Sequence, residues 1–387
     1  MTAATTQRQR RAARPLDIDA ILDDPSRRII VCCGSGGVGK TTTAAALALR
    51  AAERGRKAVV LTIDPARRLA QSMGLRELDN SPRAVVGVDE AGGGSLDAMM
   101  LDMKRTFDEV VQAHATPEKA TAVLQNPFYQ ALSTSFAGTQ EYMAMEKLGQ
   151  LRAQGSWDLI VVDTPPSRSA LDFLDAPARL GSFLDGRLIR VLTAPARAGG
   201  RMGFRFVQAG FGVFTSALTR VLGGDLLSDV QTFVGALDSM FGGFRERAEQ
   251  TYALLQNEET TFVVVAAPEP DALREASYFV ERLAGDGMPL GGLVLNRVHT
   301  SEVPDLTAEQ SVSAADHLAE RPEHEFAAAT LLLHAERMRV IDREQRLAGR
   351  FNTAHPSVPV VDVPAFPSDV HDLAGLREVG DHLAKQG

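Results

Sequence analysis

The chain has 387 residues, of which 23% are charged and 44% hydrophobic, a balance that excludes a disordered or fibrous protein and leaves an ordinary globular one. Its formal net charge of −8 argues against a nucleic-acid partner or an anionic membrane surface, because phosphate-rich partners select basic surface. Two adjacent cysteines, Cys32 and Cys33, can build neither a disulfide framework nor a four-thiolate zinc site, which fits a reducing, cytoplasmic setting.

In chain order, "MTAATTQRQRRAARP" is basic but carries no apolar stretch behind the charges, so it reads as a tail and not a signal peptide. Residues 1–25 are assigned to that N-terminal tail and 26–387 to a folded domain. "RRIIVCC" (27–33) is a short apolar run ending in glycines, followed by an alanine-rich helical pattern to about Arg54. Further apolar runs follow at "GRKAVVLTID" (55–64), "SWDLIVVDTPP" (156–166), "TTFVVVAAPEP" (260–270), "PLGGLVLNRV" (289–298) and "SVPVVDVPAF" (357–366). Runs that are apolar on both faces and separated by helical stretches predict a parallel, doubly wound α/β sheet covered by helices. All are strand-length and bounded by charge or proline, so no integral membrane segment is expected.

Two gaps exceed what a crossover helix needs. Residues from about 96 to 150 and from about 181 to 257 read helical and are taken as one α-helical subdomain inserted into the sheet domain. The polar stretch 300–325 reads as a surface loop with a short helix.

"GSGGVG" matches the dinucleotide pattern G-x-G-x-x-G, with Asp64 placed to bind a ribose hydroxyl. The same residues, Gly34 to Thr41, also match G-x-x-x-x-G-K-[ST]. The added Lys40 and Thr41 supply what triphosphate chemistry requires, so a single P-loop ATP site is expected. Backbone N–H groups of Gly36, Gly37, Val38, Gly39, Lys40, Thr41 and Thr42 would cradle phosphates at a helix N-terminus. Lys40 would reach the β/γ oxygens, and the Thr41 hydroxyl would bind Mg²⁺. "DLIVVDTPPS" ends an apolar strand in Asp163, a Walker-B carboxylate for Mg²⁺ or else a cap of the following helix.

"GSGGVGKTT", "LTIDPARRLAQSMG", "VVDTPPSRSALDFL", "APEPDALREASYFVERL", "VLNRV" and "VPAFPSDVHDL" occur in the order found in the ArsA-type ATPases, and the chain resembles that family from about residue 26 onward. The family includes the arsenite-pump ATPase and the ATPases that guide tail-anchored membrane proteins. The resemblance implies an Mg-ATP-dependent ATPase working as a dimer. It makes Asp64 the switch I carboxylate that positions or deprotonates the attacking water, near the Mg²⁺; Asp64 reads equally as a helix N-cap. Asp163 with "TPPSRS" would be switch II. Asn296 would hydrogen-bond the adenine, and Pro364 and Phe366 would lie beside the base or else serve as turn and core.

Three departures stand out. Family members read "GKGGVGKT", and their first lysine crosses the dimer interface to the partner's nucleotide; here that position is Ser35. Switch II carries Arg168 where close relatives have a glycine, and the paired metal-binding cysteines of relatives are absent. A site complete except for a group donated in trans suggests a heterodimer with a lysine-bearing paralogue. The other reading is a homodimer with slow turnover, or with Arg67, Arg68 or Arg168 supplying charge locally.

The segment 201–244 is rich in phenylalanine and glycine. Phe204, Phe211, Phe214, Phe233, Phe241 and Phe244 could line a groove for an apolar protein client, as the resemblance implies, or form the subdomain's core. The alternative to the ATPase is a nucleotide-gated binding or scaffold subunit with little hydrolysis of its own.

Overall fold

The computed structural model describes residues 14–63, 68–126, 129–130, 139–165 and 246–384. These fall into two compact units. One is drawn from the stretches 1–100, 155–170 and 255–387, the other from 101–154 and 171–254.

The first unit is an eight-stranded sheet. In chain order the strands are β1 (Ile29–Cys33), β2 (Lys57–Thr62), β3 (Arg83–Ala84), β4 (Ser95–Met100), β5 (Leu159–Asp163), β6 (Thr260–Ala266), β7 (Leu290–Val298) and β8 (Val360–Pro364). Their spatial order is β3-β4-β2-β5-β1-β6-β7-β8, and every pair but β3–β4 is parallel. β1, β5 and β6 are buried along their whole length, which is why they read as continuous apolar runs. The expected parallel α/β sheet is present, with two strands more than the apolar runs indicated.

Helix α2 (Lys40–Glu53) packs on the adjoining strands β4, β2, β5 and β1, and α1 (Ile18–Asp23) packs against α2. α2 buries an alanine-rich face, Ala44 to Ala52, and its small side chains let it lie close to the strands. Residues 14–25 are folded and not a tail, which corrects the assignment of 1–25. Leu16 N–H bonds to Val360 O at 3.2 Å and Val360 N–H to Arg14 O at 2.9 Å, extending the sheet edge at β8. Asp17 caps α1 through Ala20 N–H at 2.9 Å, and Leu16, Ile18 and Leu22 are buried. The apolar residues that anchor this segment are few and widely spaced, so composition alone hid them.

The stretch from residue 96 is likewise corrected. Ser95–Met100 forms β4, paired with β2 from Lys57↔Ser95 to Thr62↔Met100. Leu-Asp-Ala-Met-Met favours a helix locally, but parallel pairing with a buried strand overrides a weak propensity.

A charge network ties α1 to α2. Arg50 donates to both oxygens of Asp19, at 2.6 and 2.8 Å. That hydrogen bonding holds the Asp19 carboxyl below its ordinary range. A carboxylate with a depressed folded-state pKa contributes stability above its unfolded pKa and loses it as the pH falls through the folded value. Asp19→Asn is therefore expected to destabilise the protein by about 1 kcal/mol at pH 7. In thermal melts the gap to the parent should close below about pH 4; a gap unchanged at pH 3 would show that the ion pair contributes nothing.

After α3 (Arg68–Ser72), the second unit opens with α4 (Met103–His114), α5 (Pro117–Leu124) and α6 (Thr139–Gln154), joined by a helix over 246–256. Asp102 caps α4 through Arg105 N–H at 2.9 Å. Lys147 and Glu109 pair at 3.0 Å, Arg247 and Glu146 at 3.0 Å, and the Tyr129 hydroxyl bonds to Asp108. The phenylalanines of 201–244 lie outside the described residues.

The rest of the first unit is α7 (Pro270–Gly285), α8 (Ala308–Ala319), a thirty-residue α9 (Glu325–Ala354) and α10 (Leu373–Ala384). α8 starts with a reciprocal Thr307/Gln310 cap and packs on α9 through Ala308, Ala335, Met338 and Ile341. Among the described residues, no helix is long and apolar enough to cross a membrane.

Candidate phosphate-binding site

Parallel strands bring their C-terminal ends to one edge, and the loops there carry the ligands of such sheets. β1 delivers Gly34 to that edge, and the loop through Gly39 turns the chain into α2. Gly34 adopts φ +152°, and a Cβ there would stand 2.0 Å from Val265 O of β6. Gly39, the N-cap of α2, adopts φ +94°. Gly36 and Gly37 are exposed at the crest, and Val38 is buried beneath. The first i→i−4 bond of the helix start runs from Thr43 N–H to Gly39 O at 2.9 Å. The N–H groups of Lys40, Thr41 and Thr42 precede it, at the positive end of the helix dipole.

Lys40 is buried, with its ammonium donating to Ser35 O at 2.8 Å across the loop. Register places Asp163, the last residue of β5, between Cys32 of β1 and Thr62 of β2. Its carboxylate is fully buried. Oδ2 accepts from Thr41 Oγ1 at 2.8 Å and from Thr62 Oγ1 at 2.9 Å. A buried lysine, a helix start and a hydroxyl–carboxylate pair therefore meet at one place. That combination has the chemistry a polyphosphate calls for: cation and backbone dipoles suited to an anion, hard oxygens suited to a metal.

The model of the anion-transporting ATPase family matches residues 27–314, which is most of the chain and includes this whole loop. The chain belongs to that family. It is accordingly an ATP-hydrolysing enzyme with the ArsA-type P-loop fold. The ATPase GET3 of Malassezia globosa is 28% identical over 290 residues, covering 74% of this chain and 77% of that protein. The ATPase get3 of Schizosaccharomyces pombe is 23% identical over 379 residues, covering 96% and 95%. The ATPase ARSA2 of Chlamydomonas reinhardtii is 27% identical over 286 residues, covering 72% and 70%.

Other residues of this ArsA-type ATPase singled out by sequence take the following places. Asn296, near the end of β7, reaches the P-loop: its Nδ2 donates to Val38 O at 2.8 Å, and its Oδ1 accepts Arg297 N–H at 3.0 Å. A Cβ at Gly39 would come within 2.2 Å of that Nδ2, so glycine at 39 makes room for the asparagine. Pro364 ends β8 opposite Val298. Phe366 is partly buried against the core, its ring edge-to-face with His382 at 5.7 Å. Asp64, Arg67, Arg168 and the side chain of Arg68 lie outside the described residues. The Ser35 hydroxyl is buried, with no hydrogen-bond partner among the described residues.

Two features escaped the sequence. Thr62 closes on Asp163 only because β2 and β5 pair in a register that puts their last residues side by side. Thr164 donates through Oγ1 to Cys32 O at 2.8 Å, fastening the chain just after Asp163 to β1. Cys32 and Cys33 are packing residues of β1. Burial pushes the Cys33 thiol up to about 12 and raises Cys32 as well, so neither is a thiolate near neutral pH.

Proposed function

We propose that this ATPase binds Mg·ATP at the P-loop and acts as a dimeric, nucleotide-driven switch whose second unit binds a client or partner. The observation that carries the reading is the meeting of Lys40, Thr41 and buried Asp163 at the helix start. The donor set suits Mg²⁺, since it offers a hydroxyl and a carboxylate and no soft ligand. Thr41 and Asp163, with Asp64, would hold the ion, which bound there would draw charge off the phosphoryl oxygens.

Lys40 would move from Ser35 O to the β/γ oxygens, exchanging a neutral acceptor for an anionic one. The loop amides would take the remaining phosphate oxygens, and Asp64 would orient the attacking water. Asn296 would hydrogen-bond the adenine, with Pro364 and Phe366 beside the base. An apolar protein client at the second unit follows from the family resemblance and the composition of 201–244. Steady-state ATP hydrolysis and calorimetric ADP binding by the purified chain test the core of the reading; absence of both with Mg²⁺ present would sink it.

Ser35 supports a one-sided arrangement. Its hydroxyl is buried, and it carries no charge to send across an interface. A paralogue bearing lysine at this position would supply the cation in trans, completing this chain's site while receiving only a serine in return. Ser35→Lys is expected to raise turnover of the chain alone by at least about tenfold, since a cation donated in trans is worth far more in related phosphoryl transfers. Unchanged turnover in that variant, with Lys40 intact, would remove the case for a lysine-bearing partner. The second reading, a nucleotide-gated binding subunit with little turnover by itself, rests on the same Ser35 observation. It predicts tight ADP and ATP binding with hydrolysis near background.

A further inference from the structure

The end of β7 is held by a helix with no place in the phosphate site. Glu344 lies on α9 and is 7% exposed, on the face that also buries Met338 and Ile341. Both of its carboxylate oxygens go to one residue. His299 N–H donates to Oε2 at 2.9 Å, and His299 Nδ1 lies 2.7 Å from Oε1. Two more bonds fasten α9 to the same connection: Arg337 Nε to Thr300 O at 2.7 Å, and His334 Nε2 beside Leu306 O at 2.9 Å. Burying a carboxylate costs free energy unless its oxygens are satisfied, so Glu344 and His299 depend on each other.

His299 stands three residues beyond Asn296, and the chain between them is strained. Arg297 has φ 62°, the only non-glycine residue with positive φ among the described residues. The β7–β8 register shifts between Leu295 and Val298. Such a conformation lasts only where its surroundings over-determine it, and it clusters at working sites. Here the determinants are Asn296 Oδ1 on Arg297 N–H, Ala365 N–H on Val298 O at 3.0 Å, and the Glu344–His299 pair. On the near side of the strained residue, Asn296 Nδ2 sits on Val38 O of the P-loop.

We infer that Glu344 is a positioning residue for nucleotide binding: from α9 it anchors the bulged end of β7 so that Asn296 stays seated on the P-loop. The inference rests on the reading of Asn296 as a nucleotide-facing residue. The match to the family model stops at residue 314, before α9 begins, so nothing in that pattern assigns Glu344 a part. The consequence is that α9, through one buried carboxylate, sets how well the loop and the Asn296 strand end fit a nucleotide.

The test is a double-mutant cycle in the full chain, with Glu344→Ala, Asn296→Ala and the double variant. Mg·ATP affinity is read by calorimetry, KM and kcat by hydrolysis, and folding by thermal melt. Glu344→Ala is expected to weaken ATP about tenfold and to raise KM more than it lowers kcat, with the double variant no worse than Asn296→Ala alone. Glu344→Gln keeps an acceptor for His299 N–H and should recover part of the loss, which a generally loosened fold would not show. If Glu344→Ala fails to fold, His299→Ala takes its place in the cycle, because it removes only the Nδ1 bond. Additive effects, or ATP affinity untouched by the Glu344 or His299 change while Asn296→Ala weakens it, overturn the inference alone. ATP affinity untouched by Asn296→Ala overturns the reading of Asn296 and the inference with it.

Discussion

Lys40→Ala is expected to lower ATP hydrolysis by at least about 100-fold, the usual effect of removing one pre-organised charge from a site of developing negative charge. The ammonium is buried and already held over the loop by Ser35 O at 2.8 Å, so little reorganisation is needed to place it on phosphate oxygens. A cation in that water-poor position acts more strongly than one on the surface. Arginine should not restore the rate, because a planar guanidinium cannot occupy the space of a compact ammonium within the loop. The measurement is steady-state phosphate release with Mg²⁺, at saturating ATP and with calorimetric binding alongside. Hydrolysis within about threefold of the parent would mean that turnover does not pass through this loop, against the effect expected of such a group.

Gly34→Ala is expected to destroy the site from the other direction, by displacing the loop itself. The new Cβ would stand 2.0 Å from Val265 O, a backbone atom of the neighbouring strand that cannot rotate away. The residue also sits at φ +152°, outside the ordinary range of L-residues. Backbone strain of this kind costs about 1–3 kcal/mol, and the clash adds to it. The expected result is a lowered melting temperature together with loss of measurable ATP and ADP binding. A variant that melts with the parent and binds nucleotide normally would show that β1 and β6 separate more readily than their shared burial implies. The corresponding change at Gly39 is milder in principle, because the atom it meets belongs to the Asn296 side chain and not to backbone.

Much of this protein could be read directly from residue order. The P-loop, the buried strand ending in Asp163 and the six apolar runs are local patterns, each complete within about ten residues. A strand buried on both faces must be apolar throughout, and a phosphate loop must have glycines where the backbone turns. Family membership follows from the same stretches taken in order. Asp64 and the phenylalanines of 201–244 were singled out in that way too.

Tertiary structure decided the contacts between segments far apart in the chain. Ser95–Met100 became a strand because β2 offered it a parallel partner. Residues 14–25 joined the fold because β8 had an open edge and α2 two arginines for α1 to meet. Thr62 reached Asp163 across 101 residues, Asn296 reached Val38 across 258, and His299 reached Glu344 across 45. Parallel register and helix docking place such groups side by side, and no property of the isolated segments predicts which residue will face which. The sequence alone therefore determined the chemistry the chain carries; the packing of strands and helices decided which side chains hold that chemistry in place.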